Sequence, residues 1–252
     1  MREKIALQLY SLRDVLAEEL DEKLRIVSEQ GYDGVELAGT YGIGADVWKA
    51  SLEKYGLTAV SAHVGYDSLL EDLEGVLSFY QEIGCKYIIL PGLDRRYWHS
   101  GADREVFSRE AVRIGEACRE KGMLFGYHNH TGEFEKTREG FYELDGFFAD
   151  NPGLVMELDV GWACAGGVNP ADYALEHRAQ CRLFHMKDYY RDWNGKVVLA
   201  PLGKGIVNLE KIIEAGRELG MEWYIVEQDD HYGADPLKNM EISAQYLKER
   251  RR

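Results

Sequence analysis

Short apolar runs alternate with longer amphipathic stretches along this chain. The runs Lys4–Leu9, Gly34–Leu37, Thr58–His63, Tyr87–Leu90, Leu124–His128, Leu154–Leu158, Leu183–Met186 and Trp223–Glu227 predict eight strands. Several are apolar almost throughout, as in Tyr87-Ile88-Ile89-Leu90, which suits a parallel sheet covered on both faces. Helices are predicted between them, over Glu18–Gln30, Ala45–Lys54, Leu69–Ile83, Glu105–Lys121, Glu139–Ala149, Pro170–Glu176, Leu209–Leu219 and Leu237–Arg250. In the first, Leu20, Leu24 and Val27 fall on one face and charges on the other, the pattern of a helix laid on a core.

The joints repeat as well. Glu29-Gln30-Gly31, Lys54-Tyr55-Gly56, Glu82-Ile83-Gly84, Glu120-Lys121-Gly122 and Glu218-Leu219-Gly220 each stand between a predicted helix and the next strand. Glycine there ends a helix in the left-handed conformation at little steric cost. Strict alternation of strand and helix with short turns means a parallel sheet. Eight such units in 252 residues predict closure into a single (β/α)8 TIM barrel spanning residues 1–252. The stretch Asp188–Val207 is expected to be an extended loop.

Composition narrows the partners. Hydrophobic residues make up 45% and charged residues 29%, and the net charge is -14. That balance argues against nucleic acid, whose affinity for proteins is mostly cation-to-phosphate attraction. The one basic run, Lys248–Arg252, reads as a solvated helix end whose charge complements the dipole. No stretch approaches the roughly 20 apolar residues of a membrane span, and the start has no signal-peptide pattern. Cys85, Cys118, Cys164 and Cys181 lack metal-binding spacing and read as reduced thiols of a cytoplasmic protein. A homo-oligomer is left open.

In such a barrel, reactive groups gather at the C-terminal ends of the strands. Four of the seven histidines, His63, His128, His130 and His185, fall at predicted strand ends, together with Glu36, Glu157, Asp159 and Glu227. Imidazole and carboxylate form a ligand set for Mn, Zn, Fe or Co. His128, Asp159, His185 and Glu227 end four successive strands, so they are expected to meet around one divalent metal ion. His99, His177 and His231 are expected to be structural or surface residues.

The pieces Gln8-Leu9-Tyr10-Ser11-Leu12-Arg13, Gly34-Val35-Glu36-Leu37, Tyr127-His128-Asn129-His130 with Glu133-Phe134, Leu158-Asp159-Val160-Gly161-Trp162, His185-Met186-Lys187-Asp188, Gly203-Lys204-Gly205 and Val226-Glu227-Gln228-Asp229 run along nearly the whole chain. Together and in order, they resemble the xylose isomerase-like TIM-barrel superfamily and, within it, the sugar phosphate isomerases/epimerases. The resemblance implies one divalent metal held by Asp159, His185 and Glu227. Many relatives supply a glutamate from the fifth strand that also acts as a base. This chain has Tyr127-His128-Asn129-His130 there, a departure that leaves His128, His130 and Glu133 as rival fourth ligands.

The expected chemistry is proton transfer on a keto-sugar, sugar phosphate or related polyol through an enediolate, whose charge a fixed cation stabilises. Glu227 is the first candidate base, with His130 or Glu157 on the opposite face and Lys187 facing the developing oxyanion. His63, Glu36, Trp162 and Lys187 are expected to bind substrate, and Gly203-Lys204-Gly205 offers backbone N–H groups to a phosphate. The same enediolate expelling a β-hydroxyl would make the chain a keto-inositol or keto-sugar dehydratase instead.

Overall fold

A computed structural model describes residues 3–16, 19–98 and 101–251. Eight parallel strands close into a barrel: β1 (Lys4–Gln8), β2 (Gly34–Ala38), β3 (Thr58–His63), β4 (Tyr87–Leu90), β5 (Leu124–His128), β6 (Val155–Asp159), β7 (Cys181–Met186) and, after an excursion, β10 (Trp223–Val226). The ring closes where β10 pairs with β1, with Lys4 opposite Trp223 and Leu7 opposite Val226. The expected fold and all eight predicted strands are present. A strand's side chains alternate between faces. Leucine, isoleucine, phenylalanine and methionine on the outer face meet the surrounding helices in one large core cluster.

After the single-turn α1 (Arg13–Leu16), helices α2 (Leu20–Glu29), α3 (Ala45–Tyr55), α6 (Ala102–Glu120), α7 (Glu143–Asp150), α9 (Pro170–Glu176), α10 (Leu209–Leu219) and α11 (Pro236–Lys248) match the amphipathic stretches. The first predicted residue, Glu18, lies outside the described residues. All five predicted joint glycines have positive φ, from 65° at Gly56 to 91° at Gly31. One predicted helix is in fact two, α4 (Tyr66–Glu71) and α5 (Leu73–Glu82). Asp72 sits between them at φ -146° and accepts a hydrogen bond from Gly75 N at 2.9 Å. Its side chain caps α5, and its extended φ stops α4.

The inside of the barrel is layered. Ala6, Val60, Ile89, Leu183, Trp223 and Ile225 form a separate apolar plug. Two positions further along their strands stand Gln8 after Ala6, His185 after Leu183 and Glu227 after Ile225. Because the side-chain period is two, the same inward face carries hydrocarbon below and polar groups above.

The expected loop over 188–207 is more ordered than the sequence implies. It holds an antiparallel hairpin, β8 (Asp188–Arg191) and β9 (Val197–Ala200), with Asp188 opposite Ala200. Asp188 is buried; Oδ2 accepts from Gly203 N and Gly205 N at 3.0 and 2.8 Å, and Oδ1 accepts from Val207 N at 3.1 Å. The glycine-flanked turn therefore spends its N–H groups on an internal carboxylate, which removes the expected phosphate cradle. Among the described residues, no helix is long and apolar enough to cross a membrane.

Candidate metal centre

The expected quartet comes together. One donor atom from each of His128, Asp159, His185 and Glu227 lies within 4.8 Å of every other, and all four residues are buried. They come from the ends of β5, β6 and β7 and the residue after β10, successive positions around the ring. His128 and Glu227 line a cavity of about 490 Å³ at the barrel mouth, with Tyr10, Pro91, His63, His130 and Asp229 also on its walls.

Asp159 is held from both sides of its chain. Its carboxylate Oδ1 caps the short helix α8 (Val160–Ala165) by accepting from Trp162 N at 2.7 Å. Its backbone N–H donates to Asn129 Oδ1 at 3.0 Å. The other carboxylate oxygen, Oδ2, accepts no hydrogen bond, although Lys187 Nζ is 3.1 Å away and His128 Nε2 3.7 Å away. An unsatisfied buried carboxylate oxygen is costly. Together with two imidazoles and a second carboxylate, it fits a divalent cation in both charge and donor type.

Electrostatics favours the ligating forms of His128 and Glu227, whereas Asp159 and His185 shift toward their protonated forms. Burial, and next the neighbouring His185 and His63, push the His128 imidazole well below its ordinary range, which keeps it neutral with a free lone pair. Burial works against ionised Glu227, but Lys187 and His185 outweigh it and hold this carboxyl well below its usual range. Burial raises Asp159, with Lys187 and His185 opposing. Burial disfavours charged His185, and the facing Glu157, Glu36 and Glu227 overcome it and raise its pKa well above the ordinary value.

A second layer lies beneath. His63 Nε2 is 2.8 Å from Glu157 Oε2 and 3.1 Å from Glu36 Oε1. Burial and then the charge of Glu36 push Glu157 up to about 7. For Glu36, burial is outweighed by His63 and His185, which draw it down to about 2. Glu36 and Glu157 are fully buried and do not line the cavity. Glu36, expected to touch substrate, and Glu157, expected to act on it directly, stand behind the histidines, Glu36 against His63 and His185 and Glu157 against His63, His128 and His185.

Lys187 and Trp162 are also placed differently from expectation. Lys187 is fully buried, with Nζ 2.6 Å from Asp229 Oδ2, 2.8 Å from Glu227 Oε2 and 3.1 Å from Asp159 Oδ2. Burial opposes its charge, but these three carboxylates raise its pKa. Trp162 turns its ring to that ammonium, 4.9 Å from the ring centroid, and does not line the cavity. Of the expected substrate-binding residues, His63 faces the cavity while Glu36, Trp162 and Lys187 do not.

Of the three rivals at or after the end of β5, His128 is the one that falls in the quartet. Glu133 accepts from Tyr127 Oη at 2.8 Å and from His130 N at 3.0 Å, which ties down the loop. His130 stands on the cavity wall outside the quartet. His177 pairs with Asp145 at 3.3 Å and His231 Nε2 donates to Ser11 O at 2.7 Å, both structural roles. His99 lies outside the described residues. Gln8, Ser61, Asn129 and Asp229 join the site without having been singled out.

A profile of the xylose isomerase-like TIM barrel matches residues 24–250. The chain belongs to this family. Among its relatives, the inosose dehydratase of Clostridium botulinum is 23% identical, with 87% of this chain and 86% of that protein covered. A sugar phosphate isomerase/epimerase from Parabacteroides distasonis superposes with a TM-score of 0.82 at 24% identity, covering 98% of each chain. The IOLI protein, solved with a bound zinc atom, superposes with a TM-score of 0.74 at 14% identity, covering 98% of this chain and 97% of that one. The relatives are enzymes that modify sugars or sugar-like polyols, and this barrel shares their architecture.

Proposed function

We propose that this chain is a divalent-metal-dependent enzyme that shifts a proton on a keto-sugar or related polyol, as an isomerase or epimerase. The observation that carries the reading is the convergence of His128, Asp159, His185 and Glu227 within 4.8 Å at the floor of the mouth cavity. These four residues would hold the cation; the similar IOLI barrel was solved with a zinc atom bound. When bound, the ion supplies a Lewis acid that polarises a carbonyl and stabilises negative charge on its oxygen.

The remaining work belongs to side chains. Glu227, kept ionised and facing the cavity, takes the proton from the carbon beside the carbonyl. Lys187, behind it at 2.8 Å, holds that carboxylate in place. His130 stands on the cavity wall just past the end of β5, three strands removed from β10 around the ring. From there it can return a proton to the neighbouring carbon or, for epimerisation, to the other face. His63, backed by Glu157 at 2.8 Å, is a donor to a substrate hydroxyl.

A second reading is dehydration of a keto-inositol or keto-sugar. The inosose dehydratase relatives favour it, and His130 would then protonate the departing hydroxyl. Incubating the metal-loaded protein with ketoses and keto-inositols in deuterium oxide separates the two. Deuterium in an isomeric product supports isomerisation, loss of water supports the lyase, and turnover of no member of the panel defeats both.

A further inference from the structure

The His185 ring is used at both nitrogens. Nδ1 faces Glu227 Oε2 at 3.2 Å, on the side of the quartet, and Nε2 faces Glu36 Oε1 at 2.6 Å, on the side of the barrel interior. Glu36 is itself held by two donors. Gln8 Nε2 donates to Oε1 at 2.5 Å, and Ser61 Oγ donates to Oε2. Gln8, Glu36 and Ser61 are all buried, and they come from β1, β2 and β3, on the side of the barrel adjoining β10 rather than from β7 itself.

A doubly bonded carboxylate with both oxygens occupied has one orientation available to it. An imidazole facing it at 2.6 Å donates its Nε2–H, because a carboxylate only accepts. Both nitrogens face carboxylates here, Nε2 also lying 3.2 Å from Glu157 Oε2; were a cation to take up Glu227, the ring would keep one proton, held on Nε2 by its shortest contact, and Nδ1 would be the lone-pair nitrogen aimed at the quartet. Histidine ligands are oriented in this way by a carboxylate on the far nitrogen, which also makes the ligating nitrogen more basic.

The geometry points to Glu36, seated by Gln8 and Ser61, as the positioning residue that sets the tautomer and the aim of His185 for a divalent cation. It acts through His185 and touches no substrate. This assignment rests on the cation site proposed above and not on the reaction assigned to it.

Replacing Glu36 with glutamine keeps the size but presents an amide N–H to one of the two donors, so the cradle can no longer be satisfied. Ser61→Ala is the milder variant, since it frees one carboxylate oxygen and leaves His185 untouched. Two readouts are taken on the full chain: zinc(II) affinity by chelator competition, and the protonation of the His185 ring nitrogens in the zinc-loaded protein by nitrogen-15 NMR. In the wild type, Nε2 is expected to carry the proton and Nδ1 none. Glu36→Gln should weaken zinc binding by about 10- to 100-fold, the range for losing such an outer partner, with Ser61→Ala falling between it and the wild type. A merely structural role would lower the melting temperature and leave both readouts where they were.

Zinc affinity in Glu36→Gln within about twofold of the wild type, or a wild-type His185 protonated on Nδ1, overturns the assignment. A wild type that takes up no zinc overturns it together with the cation site. Zinc binding that follows the expected order without turnover of any sugar sinks only the reaction assigned above.

Discussion

The Lys187 ammonium stands 2.8 Å from Glu227 Oε2 with its side chain fully shut off from solvent. A buried cation next to several carboxylates is held by them as much as it holds them. Removing one member of such a group leaves an uncompensated charge in low dielectric. Lys187→Met is therefore expected to lose about 3–5 kcal/mol of stability in metal-free buffer, read by urea unfolding. Adding a divalent cation should stabilise the variant more than the wild type, because the ion replaces part of the missing charge. A variant as stable as the wild type would show that the carboxylates are not ionised together.

Asp159→Ala and His185→Ala each delete one donor of the quartet. Elemental analysis of purified protein should find about one metal per chain in the wild type and none in either variant, with cooperative unfolding kept in all three. A chelator should lower the melting temperature of the wild type alone. A ligand at 100 times its Kd contributes about 2.7 kcal/mol to the folded state.

Asp145 offers a pH test away from the site. Burial works to raise it, but hydrogen bonds from His177, Tyr173 and the Tyr142 backbone win and lower it below its ordinary 3.8. It sits in the first turn of α7, where it completes a capping box with Tyr142. A carboxyl lowered on folding contributes stability above its unfolded pKa and loses it as pH falls through the folded value. Wild type should thus exceed Asp145→Asn in melting temperature above about pH 4, with the gap closing on further acidification. A gap independent of pH would mean that the carboxylate charge contributes nothing.

Gly161 packs against the backbone of Lys187. A Cβ built there would lie 2.8 Å from Lys187 Cβ and 3.0 Å from Lys187 O, closer than real contacts allow. Gly161→Ala should cost about 1–3 kcal/mol through overpacking and shift Lys187 away from its carboxylates. Turnover should then fall further than zinc affinity. Unchanged unfolding would show that α8 can move aside freely.

The layout of the barrel was legible because each unit repeats one local grammar. Alternating apolar runs mark the strands, and glycines such as Gly56 and Gly220 mark helix ends. The quartet was legible for a related reason: a strand end in this architecture is also a place in space. Less readable was the direction of each side chain. Glu36 looks like a mouth residue in the sequence but lies one layer down, enclosed by Gln8, Ser61, His63 and His185. Lys187 has the composition of a surface residue, and only the three carboxylates around it explain its burial. The β8–β9 hairpin was missed because its pairing depends on Asp188 gathering amides from 15 to 19 residues away, as at Gly203 and Val207, a contact that no local pattern announces.

That anchoring separates two jobs along the chain. With the entry and exit of the excursion fastened to the single carboxylate of Asp188, the hairpin tip carries the exposed Trp193 out into solvent and meets α8 through the Arg191 guanidinium, which donates to Gly195 O and Ala165 O. Evolution or an engineer is free to rewrite that tip, lengthen it or graft another segment onto it, and the staves beneath keep their alignment.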